Sequence, residues 1–166
     1  MSDPITIRPA GRDDVPQVLQ FIRDLARYER LEHEVCASTA DLTEALFGER
    51  RHAEVLFACS AGTPVGFALF FHNFSTFKGR PGIYLEDLYV QPEARGRGIG
   101  KRLLAHLAQL AIERRCARLE WAVLDWNEPS IGFYRSLGAV PMDDWTVFRL
   151  TGAPLELLAG SARAQR

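Results

Sequence analysis

Hydrophobic positions along the first half of the chain follow two different spacings, and their order predicts a mixed α/β fold. Apolar residues at helical spacing follow Asp13 and Asp14, either of which can cap a helix. A shorter helical pattern, which Thr39 can cap, ends at Gly48. Runs rich in β-branched and aromatic residues predict strands at "ITIRPA", at "AEVLFACSAGTPVGFALFFHNF" with a turn around Ala61 and Gly62, and at "GIYLEDLYV". We therefore expect helices packed against a sheet that contains a central hairpin.

The second half of the chain continues the alternation of helices and strands. Residues 99–111 place apolar side chains on one helical face, and residues 118–123 predict a strand. A helix begins near Asn127, has Pro129 in its first turn and ends at Gly138. "TVFRL" predicts a last strand, and residues from about 160 to 166 predict a disordered tail. Because no repeat or linker interrupts this order, we predict a single domain over residues 1–166.

The segment "RGRGIGK", residues 95–101, places three glycines and three basic side chains at the start of the helix that follows "GIYLEDLYV". It is not a Walker loop, since Arg95 and Arg102 stand where that motif needs Gly and Ser or Thr. It is not a dinucleotide fingerprint either, because Lys101 replaces the third glycine. Unpaired N–H groups and the dipole at a helix start attract anions. The segment therefore predicts a phosphate-binding loop of a third kind.

Composition and charge narrow the classes of partner. The chain has 166 residues, 47% of them hydrophobic, and a formal net charge of −1, so we expect neither nucleic-acid nor membrane binding. Three cysteines without CxxC spacing and four histidines without paired-ligand spacing predict no disulfide framework and no metal site. The N-terminus lacks an apolar signal core, which favours a cytoplasmic protein.

Two motifs in this order resemble those of the GCN5-related N-acetyltransferases (GNAT). "YVQPEARGRGIGKRLL" is similar to the family's acetyl-CoA motif, [QR]-x-x-G-x-[GA], which Arg95, Gly98 and Gly100 match. "VLDWNEPSIGFYRSLGA" resembles the second signature, N-x-x-[AS]-x-x-[FL]-Y-x-x-x-G-[FA]. "LARYERLE" and "YLEDLYV" are most similar to the diamine (spermidine/spermine) branch, and "NFSTFKGR" is similar to its thialysine-type members. The resemblance implies a GNAT fold, a mixed twisted sheet splayed at its centre and flanked by helices.

The same resemblance implies which residues bind acetyl-CoA, the acetyl donor. Backbone groups of the strand end would pair with the pantetheine amides, and N–H groups of the glycine-rich loop would hold the pyrophosphate. The implied set is Leu88, Tyr89, Val90, Arg95, Gly96, Arg97, Gly98, Ile99, Gly100, Lys101, Asn127, Ser130, Tyr134 and Arg135. Two alternatives stay open: Asn127 and Ser130 cap a helix equally well, and Arg135 is equally consistent with a solvated helix position.

The resemblance also implies the residues for catalysis and acceptor binding. Tyr134 would protonate the departing thiolate as a general acid, although a tyrosine in this context also suits a core aromatic. Glu86 would accept the proton of the amine through a water, unless Glu86 and Asp87 only attract a cationic substrate. Tyr28 and Glu29 match the amine-binding pair of the branch, and a solvated helix end is their alternative. No metal takes part in this scheme.

We therefore predict an acetyl-CoA-dependent N-acetyltransferase for a small primary amine: a diamine, a polyamine or a thialysine-like amino acid. The alternatives are a protein or peptide N-acetyltransferase and a non-catalytic acyl-CoA-binding module. Lys78 and Arg80, in a segment without carboxylates, favour an acceptor that bears its own carboxylate, unless they are solvated loop charges. Asp143 and Asp144 are candidates for an acidic rim. Family analogy predicts a homodimer.

Overall fold

A computed structural model describes residues 4–163 of the chain. These residues form two compact units, one ending at Leu124 and one beginning at Asp125. The first unit contains the sheet and the glycine-rich segment, and the second contains two helices. The prediction of a single domain over residues 1–166 stays a prediction.

Five strands form one sheet in chain order in the first unit. They are β1 (Ile5–Pro9), β2 (Glu54–Ser60), β3 (Thr63–Ser75), β4 (Arg80–Val90) and β5 (Leu119–Trp121). Neighbouring strands are antiparallel except for β4 and β5, which are parallel. The β2–β3 turn has φ of 48° at Ala61 and 82° at Gly62, the left-handed geometry that a tight hairpin turn requires. This mixed sheet confirms the predicted α/β class.

The sheet opens between β4 and β5. These strands pair over only three positions, from Ile83 with Leu119 to Leu85 with Trp121. β4 then continues to Val90, still paired with β3 on its other side. Beyond Leu85, β4 thus extends past the last β5 partner that the described residues contain. The predicted split of the sheet lies at this point, between β4 and β5, the edge strand of the sheet in the described residues.

Two helices, α1 (Val15–Tyr28) and α2 (Thr39–Phe47), cover one face of the sheet. Phe21 of α1 is fully buried, and its ring centroid lies 5.9 Å from Phe57, 5.5 Å from Phe67 and 5.8 Å from Tyr89. Burial of aromatic side chains such as these contributes strongly to the stability of a core. We call this covered surface the α1 face.

Two of the expected helix caps differ from the sequence prediction. Asp14 makes no capping hydrogen bond at the start of α1, because its carboxylate instead pairs with Arg8 at 2.7 Å. Ser38 rather than Thr39 caps α2, in a reciprocal capping box with Asp41. Gly48 ends α2 as predicted.

Helix α3 (Ile99–Glu113) connects β4 to β5 and packs on the opposite face of the sheet. Its buried positions reproduce the predicted apolar stripe: Ile99, Leu103, Leu104, Leu107 and Ala111. Arg114, just beyond its last residue, forms a bidentate pair with Glu54 of β2 and lies over the ring of Phe70 at 5.8 Å. These contacts fix both ends of α3, and so they position the glycine-rich segment at its start.

The second unit contains α4 (Glu128–Ser136) and α5 (Gly152–Arg163). Asn127, Pro129 and Gly138 mark the bounds of α4 as predicted. Two sequence predictions are corrected here. Residues 146–150 belong to no strand, and the helix α5 extends to Arg163, so residues 160–163 are helical rather than disordered. Residues 164–166 of the predicted tail lie outside the described residues.

Among residues 4–163, no helix has both the length and the apolar character needed to cross a membrane.

Candidate active site

A β-bulge in β4 brings two carboxylates to the same face of the sheet. Leu69 of β3 pairs with Asp87, whereas the next residue, Phe70, pairs with Leu85. Glu86 is therefore the extra residue of the bulge. Alternation from Tyr84 directs Glu86 to the α1 face, and pairing with the core residue Leu69 directs Asp87 to that face as well. The bulge lies where β4 leaves β5.

The bulge and its surroundings raise the pKa of Asp87 to about 7. Burial contributes most to this increase, followed by the negative charges of Glu86 and Glu29. Burial also raises the pKa of Glu29. Glu86 itself is exposed, whereas Asp87 is half-buried. We call Glu29, Glu86 and Asp87 the carboxylate cluster.

A carboxylic acid with a pKa near neutrality changes its protonation state at working pH, which is the property that a general base needs. From the sequence, Glu86 is the predicted base, unless Glu86 and Asp87 only attract a cationic substrate. The bulge places Glu86 beside Asp87, and the negative charge of Glu86 helps to raise the pKa of Asp87. The cluster combines this proton-accepting capacity with a negative field that attracts an ammonium group.

The glycine-rich segment, residues 95–101, forms a loop whose backbone is open to a ligand. Gly96 and Gly98 have φ of 75° and 73°, and no atom lies within 4 Å of a Cβ built on either one. The first backbone bond of α3 runs from Arg102 N–H to the Gly98 carbonyl, at 3.1 Å. The N–H groups of Ile99, Gly100 and Lys101 thus precede the hydrogen-bond ladder of the helix. We call residues 95–101 the glycine cradle, and its open backbone fits a pyrophosphate.

The basic side chains of the cradle differ in their contacts. Arg95 Nε donates to the Val90 carbonyl at 3.0 Å, and its guanidinium lies 5.1 Å from the Tyr28 ring centroid and 5.9 Å from that of Tyr89. This side chain fastens the loop to α1 and to the end of β4. Arg97 and Lys101 are exposed beside the open glycines. Among the predicted side-chain ligands of phosphate, these two have the more suitable location.

Leu88, Tyr89 and Val90 lie in the part of β4 that continues beyond β5. Tyr89 is buried against Phe21, so its backbone rather than its side chain is available to a ligand. The Val90 carbonyl already accepts the bond from Arg95. The predicted backbone pairing with a pantetheine chain therefore has its open length between the bulge and Val90.

In the second unit, Asn127 is 5% exposed, and its Oδ1 accepts a hydrogen bond from Ser130 N–H at 3.4 Å. The structure thus shows the capping role that the sequence left as one of two alternatives. Tyr134 is half-buried with its ring 5.4 Å from that of Phe133. Arg135 is exposed, as are both candidates for an acidic rim, Asp143 and Asp144.

The sheet geometry contradicts the prediction that Lys78 and Arg80 bind a carboxylate of the acceptor. Both residues line a shallow cleft of about 390 Å³ that also contains Phe77 and Cys116. Arg80 begins β4 and lies six positions before Glu86 on the same extended strand, a distance of roughly 20 Å. Within one chain, these cations are too far from the carboxylate cluster to bind the carboxylate of a lysine-sized acceptor.

Sequence reasoning missed four polar residues next to the cluster on the α1 face: Asn73, Tyr84, Arg118 and Glu120. Burial raises the pKa of Tyr84, with further contributions from the charges of Glu86 and Glu120. The two-residue spacing of Tyr84 and Glu86 indicated a shared face. Only the pairing of β3, β4 and β5 shows that the other three belong to the same surface. No group of three or more His, Cys, Asp or Glu side chains able to hold a metal ion occurs in the part of the chain from residue 4 to residue 163.

The sequence and the fold both match known acetyltransferases. Residues 19–139 match the protein family described as "Acetyltransferase (GNAT) family". The chain is 39% identical to a thialysine N-epsilon-acetyltransferase from Bos taurus, over 94% of this chain and 98% of the bovine one. It is 33% identical to a spermidine/spermine N(1)-acetyltransferase-like protein from Homo sapiens, over 89% of this chain and 22% of the human one.

One solved structure with a similar fold is an integron cassette protein from V. cholerae. It superposes with a TM-score of 0.79 at 31% sequence identity, and the match covers 96% of this chain and 98% of that one. The overall fold is thus similar to that of this solved structure, and the predicted fold class is confirmed.

Proposed function

Since the chain belongs to the GNAT acetyltransferase family and is an N-acetyltransferase of a small amine, we propose that it acetylates the terminal amine of a thialysine-like amino acid. The donor is acetyl-CoA, and the transfer is direct. The observation that carries this proposal is the carboxylate cluster at the β4 bulge, next to the opening of the sheet. A cationic amine is attracted there and can lose its proton there.

The glycine cradle holds the donor. N–H groups from Gly96 to Lys101 bind the pyrophosphate, and Arg97 and Lys101 add positive charge. Backbone groups of Leu88 and Tyr89 pair with the pantetheine amides. Bound acetyl-CoA supplies the thioester that the amine attacks. Open space at Gly96 and Gly98 supports this assignment, because any side chain at either position would occupy the space that the ligand needs.

The carboxylate cluster prepares the amine. A lysine-like ammonium with a pKa near 10.4 is neutral in only about one part in a thousand at pH 7, so a base must take its proton. Glu86 and Asp87 together accept it, with Glu86 exposed and Asp87 more deeply buried. Glu29, together with Tyr28 at the end of α1, helps to bind the amine. A thialysine-like acceptor assists further, since its sulfur withdraws electrons and lowers the amine pKa.

Tyr134 is the general acid in this proposal. The assignment comes from the second family signature, in which this tyrosine has the matching position, and a phenol is a suitable proton donor for a departing thiolate. Asn127 and Ser130 contribute mainly by capping α4, and Arg135 is the remaining candidate for a phosphate contact.

A thiol-release assay with acetyl-CoA tests the function. The panel contains thialysine, lysine, spermidine and short peptides with a free N-terminus or a lysine, all at one pH. We expect the highest kcat/KM for thialysine. A wide margin in favour of spermidine would support the polyamine reading, which the similarity to the human protein favours. A preference for peptides would establish the protein-acetylating alternative, and acetyl-CoA binding without thiol release would establish the non-catalytic one.

The protein forms a homodimer in this proposal. Support comes from the family analogy and from apolar side chains in the second unit that are largely solvent-exposed, among them Val147 (88%), Phe148 (92%) and Leu157 (80%). Light scattering coupled to gel filtration should give a mass of about twice 18.6 kDa. A mass of one chain across the micromolar range would exclude the dimer.

A further inference from the structure

A polar network crosses three strands on the α1 face beside the carboxylate cluster. Tyr84 of β4 pairs with Glu120 of β5, and Glu86 follows Tyr84 two residues later on the same face. Asn73 of β3 pairs with Gly82 of β4, and the Arg118 side chain lies over that glycine. We call Asn73, Arg118 and Glu120 the β3–β5 polar network.

The network is held by two bonds to a single carboxylate oxygen. Arg118 Nε lies 2.7 Å from Glu120 Oε2, and Asn73 Nδ2 donates to the same Oε2 at 2.8 Å. The side chains of Arg118 and Glu120 are 41% and 35% exposed, so both charges remain accessible to a ligand. These bonds use neither Glu120 Oε1 nor the terminal nitrogens of Arg118.

One acceptor in the network has no donor. Asn73 Oδ1 is buried, and no described residue gives it a hydrogen bond. It lies close to Gly82, where any Cβ would collide with it, and the stem of Arg118 lies alongside. A buried acceptor without a donor is costly. Movement of Arg118 would expose Oδ1 to an incoming donor.

The distance from the network to the cluster suits a lysine-sized molecule. By strand spacing, the Cα atoms of Glu120 and Glu86 are about 8 Å apart. An extended lysine or thialysine spans roughly 6 to 7 Å from its terminal nitrogen to its α-carbon. Tyr84 neighbours both Glu86 and Glu120, and its ring lies 5.2 Å from that of Phe71, so the two rings form an apolar surface beside the connecting chain.

Building on the proposed function, we infer that Glu120 binds the α-ammonium and Arg118 the α-carboxylate of an amino-acid acceptor whose terminal amine reaches Glu86 and Asp87. In the free protein, Arg118 and Glu120 neutralise each other. On binding, each exchanges its partner for the opposite charge of the acceptor. Asn73 Oδ1 gains a donor from the α-ammonium.

This exchange gives selectivity because it needs both charges of the acceptor. A diamine or polyamine offers only cations, so binding to Glu120 would leave Arg118 without a partner beside a like charge. An amino acid leaves no charge unpaired. The same surface would therefore favour thialysine or lysine over an amine of equal length without a carboxylate.

The test compares thialysine with its decarboxylated diamine, which has the same chain and lacks only the carboxylate. In Arg118→Gln, kcat/KM for thialysine should fall about tenfold or more, mainly through KM, since a charged hydrogen bond to the carboxylate is lost. For the diamine, kcat/KM should stay constant or rise. Arg118→Lys keeps the charge and should recover part of the loss. Glu120→Gln should weaken thialysine binding in the same way through its α-ammonium.

Arg80→Gln is the matched control, because it removes an exposed arginine at the far end of β4. It should leave the ratio of the two kcat/KM values unchanged. Equal losses for both substrates in Arg118→Gln and Arg118→Lys would show that the network is only structural, and would overturn the inference. The inference would also be overturned if the ratio of the two kcat/KM values changed in Arg80→Gln but not in Arg118→Gln.

Failure of this inference and failure of the proposed function are distinguishable. If wild-type protein acetylates thialysine and Arg118→Gln keeps its preference over the diamine, only the inference is wrong. If wild-type protein does not acetylate thialysine at all, both are wrong. Acetyl-CoA affinity, measured in each variant, should be unchanged.

Discussion

The glycine cradle and the carboxylate cluster are both binding regions of the first unit, but they are built from different parts of the chain. The cradle is made of backbone: left-handed glycines and the N–H groups that precede the ladder of α3. The cluster is made of side chains from α1 and β4, and a bulge brings two of them to one face. One region is contiguous in sequence, whereas the other combines Glu29 with residues almost sixty positions later.

This difference determines how each region can be disrupted. A backbone site is sensitive to the size of a side chain and to φ, and it has no group that titrates near neutral pH. A side-chain site keeps its shape when a residue is replaced by an isosteric one, but its electrostatic properties change with charge and with pH. Substitutions in the two regions should therefore have different effects, which are taken here in decreasing order of size.

Gly98→Asp should have the largest effect, because it adds a carboxylate to the cradle at a position with φ of 73°. We expect acetyl-CoA affinity to fall by more than about a thousandfold, through lost hydrogen bonds and charge repulsion. Calorimetry measures the affinity, and circular dichroism checks the fold. Gly62→Asp is the matched control: its φ is 82°, with open space around it, in a turn away from the cradle. A folded Gly98→Asp protein with normal affinity would exclude the cradle as the phosphate site.

Tyr134→Phe should impair proton donation to the departing thiolate and leave binding at the cradle and at the carboxylate cluster intact. Loss of a general acid typically lowers turnover by about 10² to 10⁴, while the retained ring preserves packing against Phe133. Acetyl-CoA affinity should change less than twofold. Steady-state kinetics and calorimetry on the same preparation measure the two effects. Turnover equal to wild type would make Tyr134 a packing residue.

Asp87→Asn should change the pH dependence of stability. The pKa of Asp87 is raised from 3.8 to about 7 in the folded protein, so the native state binds more protons than the unfolded state between these values. The free energy of unfolding therefore falls as pH rises through this window. The decrease is at most about 4 kcal/mol, the value for a carboxyl group that is fully shielded from solvent.

The Asp87→Asn variant should lose this decline, so its gain over wild type should be larger at pH 8 than at pH 5. Urea unfolding at both pH values measures the difference. Asp13→Asn, the same chemical change at an exposed site, is the control. A gain independent of pH would show that Asp87 is ionised normally.

Glu86→Gln should have the smallest effect on this scale. Its negative charge contributes to the raised pKa of Asp87, so its removal should lower that pKa and move the acid limb of the kcat/KM profile to lower pH. The rate on the plateau should also fall, since the outer member of the base pair is lost. An acid limb at the wild-type position would show that the charge of Glu86 does not raise the pKa of Asp87.

The sequence predicted the cradle well for a physical reason. Gly96, Gly98 and the apolar stripe beginning at Ile99 are neighbours along the chain, so turn geometry, helix start and anion attraction can all be deduced from local rules. The capping of α4 by Asn127 and the hairpin turn at Ala61 and Gly62 were predictable for the same reason. A site built from residues that are neighbours in the chain can be predicted from the sequence alone.

The sequence failed where pairing between distant segments decides the outcome. "TVFRL" has the composition of a strand, but a strand needs a partner, and the described residues place none beside it. Lys78 and Arg80 are close to Glu86 in sequence, yet an extended strand separates them from it by roughly 20 Å.

The sequence therefore determines which acidic residues the candidate active site contains, whereas the tertiary structure determines what these residues can do. "YLED" specifies which carboxylates are present, but the register of β3 against β4 decides that Glu86 is a bulge and that Asp87 shares its face. The parallel pairing of β5 adds Arg118 and Glu120 to the same surface. A raised pKa depends on burial and on charges brought close by folding, and neither can be obtained from the order of residues along the chain.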